Sequence, residues 1–208
     1  MKTSTPFFRN SLVLAVALAA LPRTATEAFA YPPAVGILGS KNNCMDCHVN
    51  NGPWKDDQRV IIDILDNETM KSLRQTDGSF IIEAKRGTRR TLLTVIGRAR
   101  GDTVEAPFRN AWLYVDPKTI GSASLSKFAP GWDVNLPMSC RIVGDKLELY
   151  AGASLTALPM TIRPSDAAQD AELTLQVMLT KGDSVKGQPK EGMLGSYFER
   201  KVKFKVTD

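Results

Sequence analysis

The sequence predicts a mainly β protein: an antiparallel, immunoglobulin-like β-sandwich preceded by a short N-terminal segment of different texture. Two observations predict it. From residue 59 onward, short β-branched and aromatic runs recur, separated by Gly, Asp and Pro turn signals. No stretch in that region shows the 3.6-residue apolar periodicity of a long amphipathic helix. Several short strands at such spacing make two packed sheets.

Each run has its own reason. Val60 to Leu65 (VIIDIL) is a β-branched run. Ser79 to Lys85 (SFIIEAK) follows the turn signal Asp77-Gly78. Thr91 to Ile96 (TLLTVI) lies between Gly87 and Gly97, and Ala111 to Val115 (AWLYV) comes next. Residues 140–143 and 146–150 flank Gly144-Asp145, a pattern that predicts a tight hairpin. Met160 to Ile162 is a short strand, and Glu172 to Thr180 (ELTLQVMLT) alternates. Tyr197 to Val206 alternates best, with Val202, Phe204 and Val206 on one face and Lys201, Lys203 and Lys205 on the other. The last two strands are expected to pair as a hairpin with a long loop, Lys181 to Gly195.

The first thirty residues read as an export signal. Lys2 and Arg9 form a positive start, Ser11 to Leu21 is apolar but too short to span a bilayer, and Ala28-Phe29-Ala30 is a small-x-small cleavage site. Cleavage there would expose Tyr31 and leave about 178 residues, enough to bury one core. The net charge is +5 for the whole sequence. Without the signal it falls to about +3. No later stretch is long and apolar enough to span a membrane. A periplasmic or otherwise exported product is expected. The mild basic excess suits acidic protein partners, and export argues against nucleic acid.

Cys44-Met45-Asp46-Cys47-His48 is the chemically specific stretch. C-x-x-C-H is the attachment pattern of a c-type haem. Two thiols at this spacing form thioethers with the two haem vinyl groups, and the next residue is placed to ligate iron. His48 is the chain's one histidine. The blander alternatives are a redox-active cysteine pair or a partial zinc site, although zinc asks for four N/S ligands. Residues 31–58 therefore read as a haem-attachment segment for one covalently bound haem c. Residues 59–208 read as a β-sandwich body that packs against it. Trp54 has two readings, a cover for the haem edge or an ordinary core anchor.

The C-M-D-C-H run resembles monohaem c-type cytochromes in general. A mature Tyr31-Pro32 start, a haem motif soon after it and a β-sandwich body also resemble cytochrome f. The segment before Cys44 is shorter here and the body is smaller. The resemblance implies that the α-amine of Tyr31 is the sixth iron ligand. A terminal amine has an ordinary pKa of about 7.7–8.0, so its neutral donor form is accessible. Pro32 and Pro33 would stiffen its approach.

Methionines compete for that position. Met138 and Met160 each follow a proline, and Met70 and Met193 are also available. A single methionine is more often a core filler. Cys140 is left over once Cys44 and Cys47 are assigned. It reads as a buried apolar thiol, an intermolecular disulfide partner or a thiolate near the haem.

Electron transfer between redox partners follows as the leading function. With His48 used as a ligand, no Ser-His-Asp or Cys-His arrangement is left. Arg200, Lys201, Lys203 and Lys205, and the cluster Arg86, Arg89, Arg90, would suit an acidic redox partner. Lysines on a terminal strand also commonly protect a sheet edge. The alternatives are a haem enzyme with an open sixth site, acting on peroxide or a sulfur or nitrogen compound, and a cytochrome subunit of a larger exported redox complex. Oligomeric state is not legible.

Overall fold

The computed structural model describes residues 44–46, 48–99, 108–114, 129, 131–135, 139–141, 144–181 and 192–208, with only the backbone at 46, 108–114 and 139–141. The expected export signal, Tyr31, Cys47, Met138 and residues 182–191 lie outside the described residues.

Among the described residues nine strands form two sheets, in keeping with the β-branched runs. They are β1 (Val60–Asp66), β2 (Phe80–Lys85), β3 (Arg90–Arg98), β4 (Phe108–Tyr114), β5 (Trp132–Asn135), β6 (Ser139–Arg141), β7 (Ser154–Pro164), β8 (Ala171–Lys181) and β9 (Leu194–Thr207). The four-stranded sheet runs β1-β3-β7-β5 and the five-stranded sheet β2-β9-β8-β4-β6. Among the described residues every strand pairing is antiparallel except that of β2 with β9, which is parallel from Phe80 opposite Val202 to Lys85 opposite Thr207. The expected wholly antiparallel sandwich is therefore mixed at one strand pair. β2 and β9 lie far apart in sequence, so no tight turn constrains their direction.

The core lies between the sheets. It takes Ile62 and Ile64 from β1, Leu92 and Ile96 from β3 and Met160 from β7, against Phe80, Leu175, Val177 and Phe204 from the other sheet. Trp132 of β5 meets Phe204 of β9 with ring centroids 4.7 Å apart. Alternate residues point inward, as the pleat dictates. On β9, Val202 and Phe204 are buried while Lys201 and Lys205 are exposed. The expected terminal hairpin forms, with β8 and β9 in register from Ala171 opposite Phe204 to Lys181 opposite Leu194.

Three expectations change. The hairpin at Gly144-Asp145 does not form. The amides of Gly144 and Asp145 both donate to the Leu155 carbonyl, and Asp145 Oδ2 accepts the Ala157 amide at 2.8 Å. Residues 144–153 thus fold over the outer face of the four-stranded sheet, with a 3-10 turn at Glu148–Tyr150. Leu147, Tyr150 and Ala153 pack there on a second cluster of Ile61, Leu65, Val95 and Leu155. This cover explains why β1 is buried on both faces.

The short strand at Met160–Ile162 is part of the longer β7, which includes Pro159 and Pro164. β3 pairs with β7 up to Ile162 and β5 only from Thr161 onward. Each proline therefore sits where β7 has a single neighbour, which is where a residue without an amide proton is tolerated. Gly97 lies inside β3 rather than after it, and a Cβ there would stand 2.2 Å from the Ser154 carbonyl oxygen. Close approach of β3 to β7 requires the glycine.

Candidate functional site

Asn50-Asn51-Gly52-Pro53 breaks any helix that starts at the cysteines. Before it, Cys44–Asp46 forms one 3-10 turn, and the His48 amide donates to the Cys44 carbonyl at 2.9 Å. That bond closes the motif into a single turn.

The turn rests on the outer face of the five-stranded sheet. On β8, Leu173, Leu175, Val177 and Leu179 point into the core. Gln176, Met178 and Thr180 therefore point the other way, yet all three are buried. The motif segment lies on Gln176 and reaches the neighbourhood of Met178. The Cys44 amide donates to Gln176 Oε1 at 2.9 Å. A Cβ built on Gly195 would lie 2.7 Å from the Val49 carbonyl oxygen and 3.2 Å from Met178 Cε. Only a glycine lets the residue after His48 come this close to the sheet.

The breaker residues have a second role. β2 covers β9 only over Val202–Thr207, which leaves the first half of β9 without that neighbour. Residues 50–54 occupy this edge. The Gly52 amide donates to the Gly195 carbonyl at 2.6 Å, and the Gly195 and Tyr197 amides donate to Asn51 Oδ1 and Asn50 Oδ1. The Trp54 amide donates to Ser196 Oγ at 3.1 Å. Trp54 itself is fully buried in the main core, so of its two readings it is the anchor. Asp57 then pairs with Arg200 at 2.6 Å. These contacts hold the motif from its downstream side.

His48 is half-buried, and that burial pushes its imidazole below the ordinary histidine value. The neutral ring is the form that offers a nitrogen lone pair to a metal. Thiol chemistry at Cys44, with an imidazole one turn on, fits a thioether-linked haem. Among the described residues no three His, Cys, Asp or Glu side chains gather as a metal cluster. A haem brings its own four nitrogens and asks the protein for axial donors only.

The other predicted residues fall as follows. Cys47, Tyr31 and Met138 lie outside the described residues. Cys140 lies in β6, opposite Arg109 of β4. Met160 is fully buried between the sheets, opposite Leu92. Met178, beside Val49 and Gly195, was not singled out by sequence. Its apolar neighbours Val177 and Leu179 make it look like one more core residue. Only the odd-even phase of β8 distinguishes it.

Of the basic residues, Arg200 shares the phase of the inward-facing β9 residues and is tied to Asp57. Arg86 binds Asp208 and three backbone carbonyls, and Arg90 pairs with Asp66 at 2.8 Å. Lys201, Lys203 and Lys205 stand on the outer face, the face that also carries Gln176, and Lys201 approaches Glu172 at 3.5 Å. Over Val202–Thr207, β9 lies between β2 and β8, so its later lysines guard no sheet edge.

The chain matches no protein-family model and no curated protein. Among the described residues no helix is long and apolar enough to cross a membrane.

Proposed function

We propose that this chain is an exported, periplasmic monohaem c-type cytochrome that carries electrons between redox partners. The observation behind the proposal is the C-x-x-C-H run at Cys44–His48. Cys44 and Cys47 hold the haem as thioethers and His48 is the proximal ligand. The haem supplies one-electron cycling of its iron. The chain's own part is to fix the motif: Gln176 holds the Cys44 amide, and the Asn50–Trp54 stretch ties the downstream end to β9. A motif anchored on both sides restricts the reorganisation that accompanies a change of iron charge.

The Tyr31 amine and Met138 rank first for the sixth position. Met160 ranks behind them because its thioether is committed to core packing. An acidic redox partner docks on the Lys201, Lys203 and Lys205 face, next to the motif. An open sixth position would instead favour a haem enzyme, and a fixed co-purifying partner would favour a subunit of a larger redox complex.

The test is covalent attachment. The exported protein should keep its haem through denaturing electrophoresis and show the α-band of a two-thioether pyridine haemochrome. Cys44→Ser and Cys47→Ser should each lose one thioether, and the double variant should lose the haem. A wild-type chain that acquires no haem in a host competent for c-type maturation would refute the proposal. Near-infrared magnetic circular dichroism of the oxidised protein then assigns the axial pair. A high-spin spectrum would favour the enzyme reading.

A further inference from the structure

A groove of about 370 Å³ opens on the opposite face of the sandwich, over the outer side of the four-stranded sheet. Ile61 contributes to its apolar lining, together with the short 3-10 turn that carries Leu149 and Tyr150. Gln58 and Arg74 supply the polar side chains at its border.

Three features say what it would hold. First, its lining contains no carboxylate. The Asp56 carboxylate accepts the Gln58 amide at 2.9 Å. Asp63, bonded to the lining residue Tyr150, is 1% exposed and already used. Its Oδ1 accepts the Ile64 amide at 2.8 Å and the Ser72 hydroxyl at 2.7 Å, and its Oδ2 accepts the Tyr150 hydroxyl. Tyr150 therefore spends its proton on Asp63. Burial, and then the Asp63 bond, push that phenol above its ordinary value, so it stays neutral.

Second, Arg74 brings a guanidinium to the groove. Among the described residues nothing accepts a hydrogen bond from it or forms an ion pair with it, and Gly78 beside it leaves it space. A guanidinium fork is a preferred partner for a carboxylate. Third, Leu149 stands at the mouth with 56% of its surface exposed, the most exposed large apolar side chain among the described residues. An apolar side chain at the rim of a concave, mostly apolar site is what a small ligand would cover.

We propose that this groove binds a small organic monoanion, a carboxylate with a short aliphatic body. Its head pairs with the Arg74 guanidinium and its body lies on Ile61 and against Leu149. The site lies on the other sheet from the haem motif, and its occupancy does not depend on haem attachment.

The experiment is calorimetric titration of the full exported chain with sodium octanoate and, separately, with 1-octanol. Octanoate should bind saturably at one site, with 1-octanol at least tenfold weaker. Arg74→Gln should weaken octanoate at least tenfold without moving the thermal unfolding midpoint, because Arg74 is exposed. Leu149→Glu, also at an exposed position, should weaken it comparably. Absence of saturable octanoate binding would overturn the proposal, as would equal binding of octanoate and octanol. Unchanged affinity in either variant would overturn it too.

Discussion

Asp63 shows how much one side chain can commit a fold to a local arrangement. A carboxylate on the outer face of β1 would be costly under an apolar cover without partners. It is tolerated because the Ile64 amide, Ser72 and Tyr150 satisfy it, and these come from three different stretches of chain. Tyr150→Phe keeps the ring and removes one of those donors. It should lower unfolding stability by about 1–3 kcal/mol, read from chemical denaturation. Asp66 behaves differently. The Arg90 guanidinium, and then the Thr69 amide, hold its carboxyl well below the usual carboxylate range. A lowered folded-state value adds stability that is present above the unfolded-state pKa and is lost as pH falls through the folded one. That loss begins below about pH 4. Asp66→Asn should therefore flatten the acid limb of the stability profile and leave the neutral-to-alkaline limb parallel to wild type. Met160→Ala should cost about 2–5 kcal/mol by opening a core cavity. With Met160 acting as packing, the absorption of an attached haem should stay unchanged.

At the scale of elements, the informative contrast is between β9 and β8. The alternation of β9 is plain in the sequence because only one of its faces is buried through its second half. β8 also alternates in hydropathy, but the structure buries both faces from Leu175 to Thr180. Nothing within ELTLQVMLT announces that a segment some 130 residues earlier lies on Gln176. The same long-range effect hid β5, a four-residue strand whose existence depends on pairing with β7. It also undid the Gly144-Asp145 hairpin, where tertiary packing of 144–153 outweighed a favourable turn dipeptide. The C-x-x-C-H run, on which the proposed function rests, is by contrast a matter of local spacing and so is visible in the sequence. Its surroundings are not, because Gly195, Gln176 and Ser196 have no signature of their own. Gly195→Ala tests this coupling. The added carbon meets the Val49 carbonyl, so the Gly52 amide, bonded to Gly195, should exchange at least tenfold faster by hydrogen-exchange NMR. The amides at the centre of the β8–β9 ladder should keep their protection.

For the whole molecule, the two sheets divide the labour. The outer face of the five-stranded sheet carries the motif turn and the lysines, and the outer face of the four-stranded sheet carries the groove with Arg74. If electron transfer is guided by charge, its rate with an acidic partner should fall as ionic strength rises. Replacing Lys201, Lys203 and Lys205 together by Gln should flatten that dependence. Arg74→Gln should leave it unchanged, since its guanidinium stands on the other sheet. One further consequence comes from where the motif is held. On the proposed export, Cys44 and His48 would leave the channel well before Gly195, Ser196 and Tyr197, which secure the stretch behind them. Until β9 has emerged, that stretch has no strand to close against. Under the proposed function, that delay would keep the thiols reachable by a modifying enzyme until β9 arrives, so the order of synthesis would set the interval for cofactor attachment.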